Sequence, residues 1–248
     1  MRPLHIIMPM AGEGSRFVQQ GFTTPKPMIA CKGRSLFERA LLSLEGIPCG
    51  KRHCFIVRQE HIDLYAIDAR IKSALPEASI FAVSKTTRGA VETCLVARPA
   101  IHPDEGLVVM DCDLEFYSRE YADHITGILE QPASQVSGGA LVSFDSDNPR
   151  YSYALADEHG RVIRTAEKQV ISRHALAGAY FFSKAASFIS AAERLLQDGL
   201  GGCAEFYVSL LYNYLIHDGE YVFLAKTEKY YSYGTPEELS LQNNGSRD

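Results

Sequence analysis

The chain is short of everything that would direct it to a membrane, to nucleic acid or into a disulfide-stapled scaffold. No apolar run approaches the roughly 18 residues that a membrane-spanning helix needs. The opening Met1-Arg2-Pro3-Leu4-His5-Ile6-Ile7 is too short an apolar stretch for a secretory leader. Cysteine is sparse: Cys31, Cys49, Cys54, Cys94, Cys112 and Cys203 form no C-x-x-C pair. Neither a disulfide framework nor a zinc site is expected from that spacing, and mostly apolar neighbours predict buried free thiols. There is no basic stretch, and 25 Lys and Arg against 30 Asp and Glu leave a formal charge of −5. That argues against a nucleic-acid-binding surface while leaving room for one bound nucleotide. The histidines show no metal-ligand spacing, and no linker or internal repeat divides the chain. A cytoplasmic enzyme is the expectation.

What is present is an ordinary globular composition over 248 residues, 46% apolar and 22% charged, which suits one large α/β domain or two small ones. Apolar runs at 4–10, 54–57, 79–83 and 106–110 read as buried strands. Helical spacing appears between them at 35–44, 61–75 and 91–97, with a Ser35/Glu38 capping box opening the first helix and Pro76 stopping the second. Alternation with short connections predicts a mostly parallel sheet covered by helices on both faces. From residue 138 the rhythm changes. Strands are expected at 138–144, 151–155, 162–165 and 176–182, the middle two a hairpin around Asp157-Glu158-His159-Gly160. Helices follow at 184–196 and 204–216, then a strand at 222–225 and a helix start at Thr235-Pro236-Glu237-Glu238. The fold expected is a Rossmann-like three-layer α/β/α arrangement with a mostly parallel mixed central sheet and a small antiparallel region on the substrate side. A single domain would span 1–241, with 242–248 a polar, frayed tail.

Four constellations carry chemistry. Met10-Ala11-Gly12-Glu13-Gly14-Ser15-Arg16-Phe17 follows the first strand directly, and its glycines bring backbone N–H groups close enough to cradle phosphate. It is neither the Walker loop nor the dinucleotide fingerprint, because Phe17 holds the third glycine position. Pro25-Lys26-Pro27 fixes an ammonium in an extended segment, where it can offset charge on a reacting phosphate. Asp111 and Asp113 follow the 106–110 strand, at the sheet edge where open α/β folds bind ligands, and their carboxylates suit Mg2+. Glu167-Lys168, after the hairpin, offers a carboxylate for hydroxyls beside an ammonium for phosphate.

These segments, with Thr87-Arg88-Gly89-Ala90-Val91-Glu92-Thr93 and Gly234-Thr235-Pro236, resemble the sugar-1-phosphate nucleotidylyltransferases and their relatives that make CDP-choline. The resemblance runs from about residue 4 to residue 241. It implies transfer of a nucleoside monophosphate from a nucleoside triphosphate to a phosphorylated small molecule, most simply a sugar 1-phosphate, with release of pyrophosphate. It implies Mg2+ as cofactor, no nucleic-acid or membrane partner, and a role in supplying nucleotide sugars for capsule or other cell-surface polysaccharide; a homo-oligomer is left open. Carried over by residue, Ala11, Gly12, Gly14, Ser15 and Arg16 hold the nucleotide and its triphosphate, while Lys26 neutralises the reacting phosphate. Gly89, with Ala90 after it, lies along the base. Asp113 coordinates Mg2+ with Asp111 beside it, and Glu167 and Lys168 meet the acceptor, Lys168 at its phosphate.

The chain departs from the family pattern at three places. Ser84 replaces the glutamine that reads thymine or uracil, and Tyr151-Ser152 stands where the sugar enzymes have Tyr-Gly. The C-terminal Asp-x-Gly-Thr-Pro of many members, whose aspartate is a second metal ligand, matches Tyr231-Ser232-Tyr233-Gly234-Thr235-Pro236 here, and the aspartate's place falls on Ser232 or Tyr233, neither of them a carboxylate. A phenol is no hard anionic ligand, so Tyr233 is expected against the acceptor pocket, its ring on substrate or neighbouring tyrosines. The alternative acceptor is a non-sugar phosphate such as phosphocholine. The rival class is a nucleotide-binding regulatory protein without turnover, motivated by the missing carboxylate.

Overall fold

The computed structural model describes residues 1–244. Its first strand, β1 (Leu4–Met10), is buried along nearly its whole length and passes directly into the Gly-rich loop and a short helix, α1 (Ser15–Gln19). A small turn of two strands, β2 (Ala30–Cys31) and β3 (Arg34–Ser35), leads to α2 (Leu36–Leu42), opened by the Ser35/Glu38 capping box. Then follow β4 (Lys51–Arg58), α3 (Gln59–Tyr65), α4 (Ile67–Ala74), β5 (Ser79–Val83) and α5 (Ala90–Leu95). Next come β6 (Gly106–Met110), β7 (Leu114–Tyr117), α6 (Arg119–Glu130), β8 (Gly139–Asp145), β9 (Ser152–Ala156) and β10 (Val162–Glu167). The chain closes with β11 (His174–Phe182), α7 (Ala185–Asp198), α8 (Leu211–His217), β12 (Val222–Lys226), β13 (Lys229–Ser232) and α9 (Pro236–Asn244).

The strands form a mixed nine-stranded sheet in the order β10-β9-β11-β6-β1-β4-β5, with β8 joining β11 to β12. Strands β6, β1, β4 and β5 are mutually parallel, and β11 turns the sheet antiparallel against β6. Alternation along each parallel strand sends side chains to opposite faces. Ile7, Ile56 and Val109 therefore join the core under α5, α7 and α8, while Ile6, Val57 and Val108 join the core under α2, α4 and α6. Helices on both faces explain why these strands read as unbroken apolar runs. The result is the expected Rossmann-like three-layer arrangement, with antiparallel ribbons added.

Three local readings change. The 61–75 helix is two helices, broken at Ala66 with φ 49. No residue of α3 is fully buried, though Ile62 packs against the core, whereas Ile67 and Ile71 of α4 are at 0% exposure, so α4 is the more deeply seated of the two. The 204–216 helix begins late: Phe206 donates its N–H to the Arg88 carbonyl and accepts from Val91 N–H, which holds 204–207 out of helical geometry. An antiparallel ribbon, β7 with β13, was not expected; it ties Leu114–Tyr117 to Lys229–Ser232 and brings the C-terminal segment to the end of β6. Residues 242–244 continue α9, and 245–248 lie outside the described residues. No helix among the described residues is long and apolar enough to cross a membrane.

Candidate active site

The carboxyl ends of β1 and β6 open onto a cleft of about 360 Å³. Arg16, Lys26, Asp111 and Asp113 line it from these ends, and Glu167 and Lys168 line it from the β9–β10 hairpin. Six of the residues expected from sequence thus share one wall-to-wall space, joined by Ala90 at the start of α5.

The β1 side of the cleft is built by backbone geometry. Gly14 takes φ 63 and its carbonyl accepts from Phe17 N–H at 2.9 Å, starting α1. Its Cα lies against Lys26, where a Cβ would approach the Lys26 Cβ at 3.4 Å. Lys26 sits not in the expected extended segment but at the head of a 3-10 turn, Lys26–Met28, entered through Pro25. Its ammonium is ion-paired to the Asp113 carboxylate and lies 5.6 Å from the Phe17 ring centroid. Burial pulls the Lys26 ammonium down, but Asp113, Cys112 and Asp111 outweigh it and leave it raised, so it stays charged. Arg16 makes no hydrogen bond or ion pair among the described residues, which leaves its guanidinium free for a ligand. Lys26 also borders a second hollow, which Gly14 lines together with Arg58 and His61.

Asp111 and Asp113 share one wall because the chain leaves the sheet between them. Asp111 N–H donates to the Gly178 carbonyl at 2.8 Å, and the Asp113 carbonyl accepts from Tyr233 N–H at 2.8 Å. Burial, with the Asp113 charge beside it, pushes the Asp111 carboxyl up to about 8. Gly178 makes this packing possible: at φ 68, a Cβ there would lie 2.6 Å from Asp111 Oδ2. The β11–β8 register shifts at this point, a bulge beside the site.

The hairpin side of the cleft depends on a left-handed residue. Neighbours in a strand normally face opposite ways. Lys168, at φ 53, breaks that alternation and lets both Glu167 and Lys168 face the cleft. Lys168 Nζ donates to Tyr207 Oη at 2.8 Å and lies 5.0 Å from that ring's centroid. The bond to Tyr207 raises the Lys168 ammonium. Burial pushes the Glu167 carboxyl up, against hydrogen bonds from Ser152 and Ser209 that pull it down.

Other expected residues lie elsewhere. Ala11, Gly12, Gly14, Ser15, Ser84 and Gly89 are not part of the cleft wall. Ser84 is exposed just past β5. Gly89 has a packing reason for its missing side chain: a Cβ would lie 2.5 Å from Phe206 N. Tyr233 contradicts its expected place against the acceptor. It is 2% exposed, packs with Phe17, Leu36 and Leu239, and donates its hydroxyl to Glu115 Oε2 at 3.0 Å. The reason is strand parity: Tyr230 and Ser232 face the cleft, so Tyr231 and Tyr233 face the far side of the ribbon.

Sequence reasoning missed Glu238. Its Oε2 accepts from Ser232 Oγ at 2.8 Å and from Thr235 N–H at 3.1 Å, and its Oε1 pairs with Arg150. A carboxylate from the first turn of α9 therefore reaches Ser232, one of the two positions on which the expected aspartate's place falls. The signal was present as Thr235-x-x-Glu238, a capping box with proline at N1. Glu238 Oε2 and Asp113 Oδ2 lie 3.3 and 3.5 Å from one point, the Cβ position of Gly234. Arg150, Tyr151, Tyr180, Tyr207 and Tyr230, also missed, complete the cleft wall near the hairpin.

A mixed, mostly helix-covered α/β sheet with a Gly-rich loop, a fixed lysine and paired aspartates at the carboxyl edge of its parallel strands defines a phosphate-handling nucleotide enzyme. The chain belongs to the nucleotidyl transferase family, which matches residues 4–230. A nucleoside-diphosphate-sugar pyrophosphorylase from Vibrio cholerae RC9 is similar at 26% identity and TM-score 0.80, over 97% of this chain and 100% of that one. Two further structures share the fold at 16% identity. One, from Bacillus anthracis and assigned as a glucose-1-phosphate thymidylyltransferase, has TM-score 0.75 over 99% of this chain and 97% of its own. The other is a UDP-glucose pyrophosphorylase complexed with UDP-glucose, TM-score 0.71 over 97% of both chains. Among curated proteins, none matches the sequence.

Proposed function

We propose that this nucleotidyltransferase joins a nucleoside monophosphate to a sugar 1-phosphate and releases pyrophosphate. The observation that carries the proposal is one cleft with two separately held ammonium groups, Lys26 beside Asp113 and Lys168 on Tyr207. One suits the triphosphate and the other a phosphorylated acceptor. A phosphate oxygen of the acceptor forms a bond to the α-phosphorus, the bond to the β-phosphate oxygen breaks, and pyrophosphate leaves. An ionised phosphate needs no general base, so the protein's task is orientation and charge neutralisation. Arg16 and Lys26 offset charge on the triphosphate, Lys168 holds the acceptor phosphate, and Glu167 accepts from a sugar hydroxyl.

Mg2+ fits this site. Asp113 already holds a cation, the Lys26 ammonium, and the donors are hard carboxylate oxygens. No group of three or more His, Cys, Asp or Glu among the described residues is arranged to hold a metal. Asp113 and Asp111 would bind it, with Glu238 nearby, and phosphate and water oxygens would complete the shell. When bound, the ion supplies charge stabilisation to the triphosphate.

Pyrophosphate release measured across the common nucleoside triphosphates and a panel of sugar 1-phosphates, with Mg2+, tests the proposal. Turnover requiring all three components is expected. Tight nucleotide binding without turnover on any acceptor would support the regulatory class instead. A specific observation favours a second acceptor class: Tyr151, Tyr180, Tyr207 and Tyr230 ring the acceptor end beside Glu167 and Glu205. Such rings suit an ammonium, as in phosphocholine, which therefore belongs in the same panel.

A further inference from the structure

Ser152 stands where the sugar enzymes it resembles have glycine, and its hydroxyl is not idle. It donates to Glu167 Oε2, directly across the β9–β10 ladder, where Ser152 and Glu167 are register partners. Ser209 Oγ donates to the same oxygen at 2.9 Å from a different element. Ser209 is itself fixed, 1% exposed, with its carbonyl accepting from Thr165 Oγ1 at 2.7 Å. Asn213 then clamps both backbone groups of Thr165, accepting from N–H at 2.9 Å and donating to the carbonyl at 3.1 Å. Strand, turn and helix thus converge on one oxygen of one carboxylate. The other oxygen, Glu167 Oε1, makes no hydrogen bond among the described residues, and Glu167 lines the cleft.

A carboxylate side chain ends in a broad, soft torsion. Two donors on one oxygen remove that freedom and leave the second oxygen at a defined place. An ionised carboxylate only accepts, so it selects a partner that donates. We infer that Ser152 is a positioning residue for acceptor specificity: with Ser209 it pins Glu167 so that Oε1 reads one hydroxyl of the sugar phosphate. This rests on the sugar 1-phosphate reading above.

The test uses the full chain and pyrophosphate release with hexose and N-acetylhexosamine 1-phosphates. The best acceptor is then compared with its monodeoxyfluoro analogues, which cannot donate at the substituted position. The native enzyme should lose about tenfold in kcat/KM at one ring position, the size of a hydrogen bond to a charged group. Ser152→Ala should raise KM for the acceptor by a similar factor, act much less on kcat and on KM for the nucleotide, and flatten that discrimination. Ser209→Ala should give the same signature from another element, and Ser152→Thr, which restores a hydroxyl, should recover it. Turnover by Ser152→Ala with native acceptor KM and native fluoro-discrimination overturns the inference alone. So does an equal loss in kcat and nucleotide KM, the mark of general structural damage. Absence of turnover with every sugar 1-phosphate overturns the acceptor reading and takes this inference with it.

Discussion

Gly178→Ala links the sheet to the site in one substitution. The residue lies in β11 at φ 68, where an L side chain costs roughly 1–2 kcal/mol. The new Cβ would sit 2.4 Å from Leu114 Cδ2 and 2.6 Å from Asp111 Oδ2, and Leu114 is only 3% exposed, so neither neighbour retreats freely. Overpacking of that kind adds about 1–3 kcal/mol. The sum, about 2–5 kcal/mol, predicts a fall in Tm of roughly 5–15 °C for a chain of this size. Moving Asp111 also disturbs the carboxylate pair, so kcat should fall even below the melting transition. Gly219→Ala is the control: its φ is 80, but nothing lies within 4 Å of a Cβ there. It should show the backbone cost of roughly 1–2 kcal/mol without loss of turnover. Thermal melts by circular dichroism and pyrophosphate release at a temperature where both variants are folded make the comparison. If Gly178→Ala melted with Gly219→Ala and turned over at the native rate, the packing argument would be wrong.

Asp113→Asn should remove most turnover at limiting Mg2+, by about a hundredfold or more as for lost charge stabilisation at a reacting phosphate, while Asp111→Asn costs less; isothermal titration of Mg2+ into the nucleotide complex reads the metal loss independently of rate, and near-native Asp113→Asn activity refutes the assignment. Tyr233→Phe should lower stability by about 1–2 kcal/mol through the lost bond to Glu115, and leave acceptor KM unchanged, because the ring faces away from the cleft; a raised acceptor KM would return Tyr233 to the substrate. Stability should also fall in acid. Burial holds His5, His53, His61, His124 and His174 below the ordinary value of 6.5, so the unfolded chain binds protons first. Their contribution is complete above 6.5 and is lost as pH falls below it. His5→Phe, which keeps a buried ring without a titrating group, should flatten the dependence of Tm on pH between about 6.5 and 5, and an unchanged slope counts against it.

Local sequence determined much of this protein. The run Leu4–Met10 became β1 at those residues, Ser35 and Glu38 formed their capping box, and the 106–110 run delivered Asp111 and Asp113 to the sheet edge. Such features depend on apolar period, cap chemistry and neighbouring dihedrals, all contained within a few residues. Pro25-Lys26-Pro27 and Glu167-Lys168 say little by themselves and stood out only through their order among the segments of the family resemblance, and the cleft does contain Lys26, Glu167 and Lys168.

Tertiary structure decided which distant residues met, and on which face. Ser152, Glu167 and Ser209 are separated along the chain and converge only because β9 pairs with β10 and the 208–210 turn packs on them. Glu238 reaches Ser232 only once α9 folds back from the β7–β13 ribbon. Tyr233 missed the cleft by the parity of a strand too short to announce itself in sequence: one residue either way exchanges the faces. The period of a strand is local, but its register, and hence the direction each side chain takes into a site, is set by the partner strand and the cores on either side.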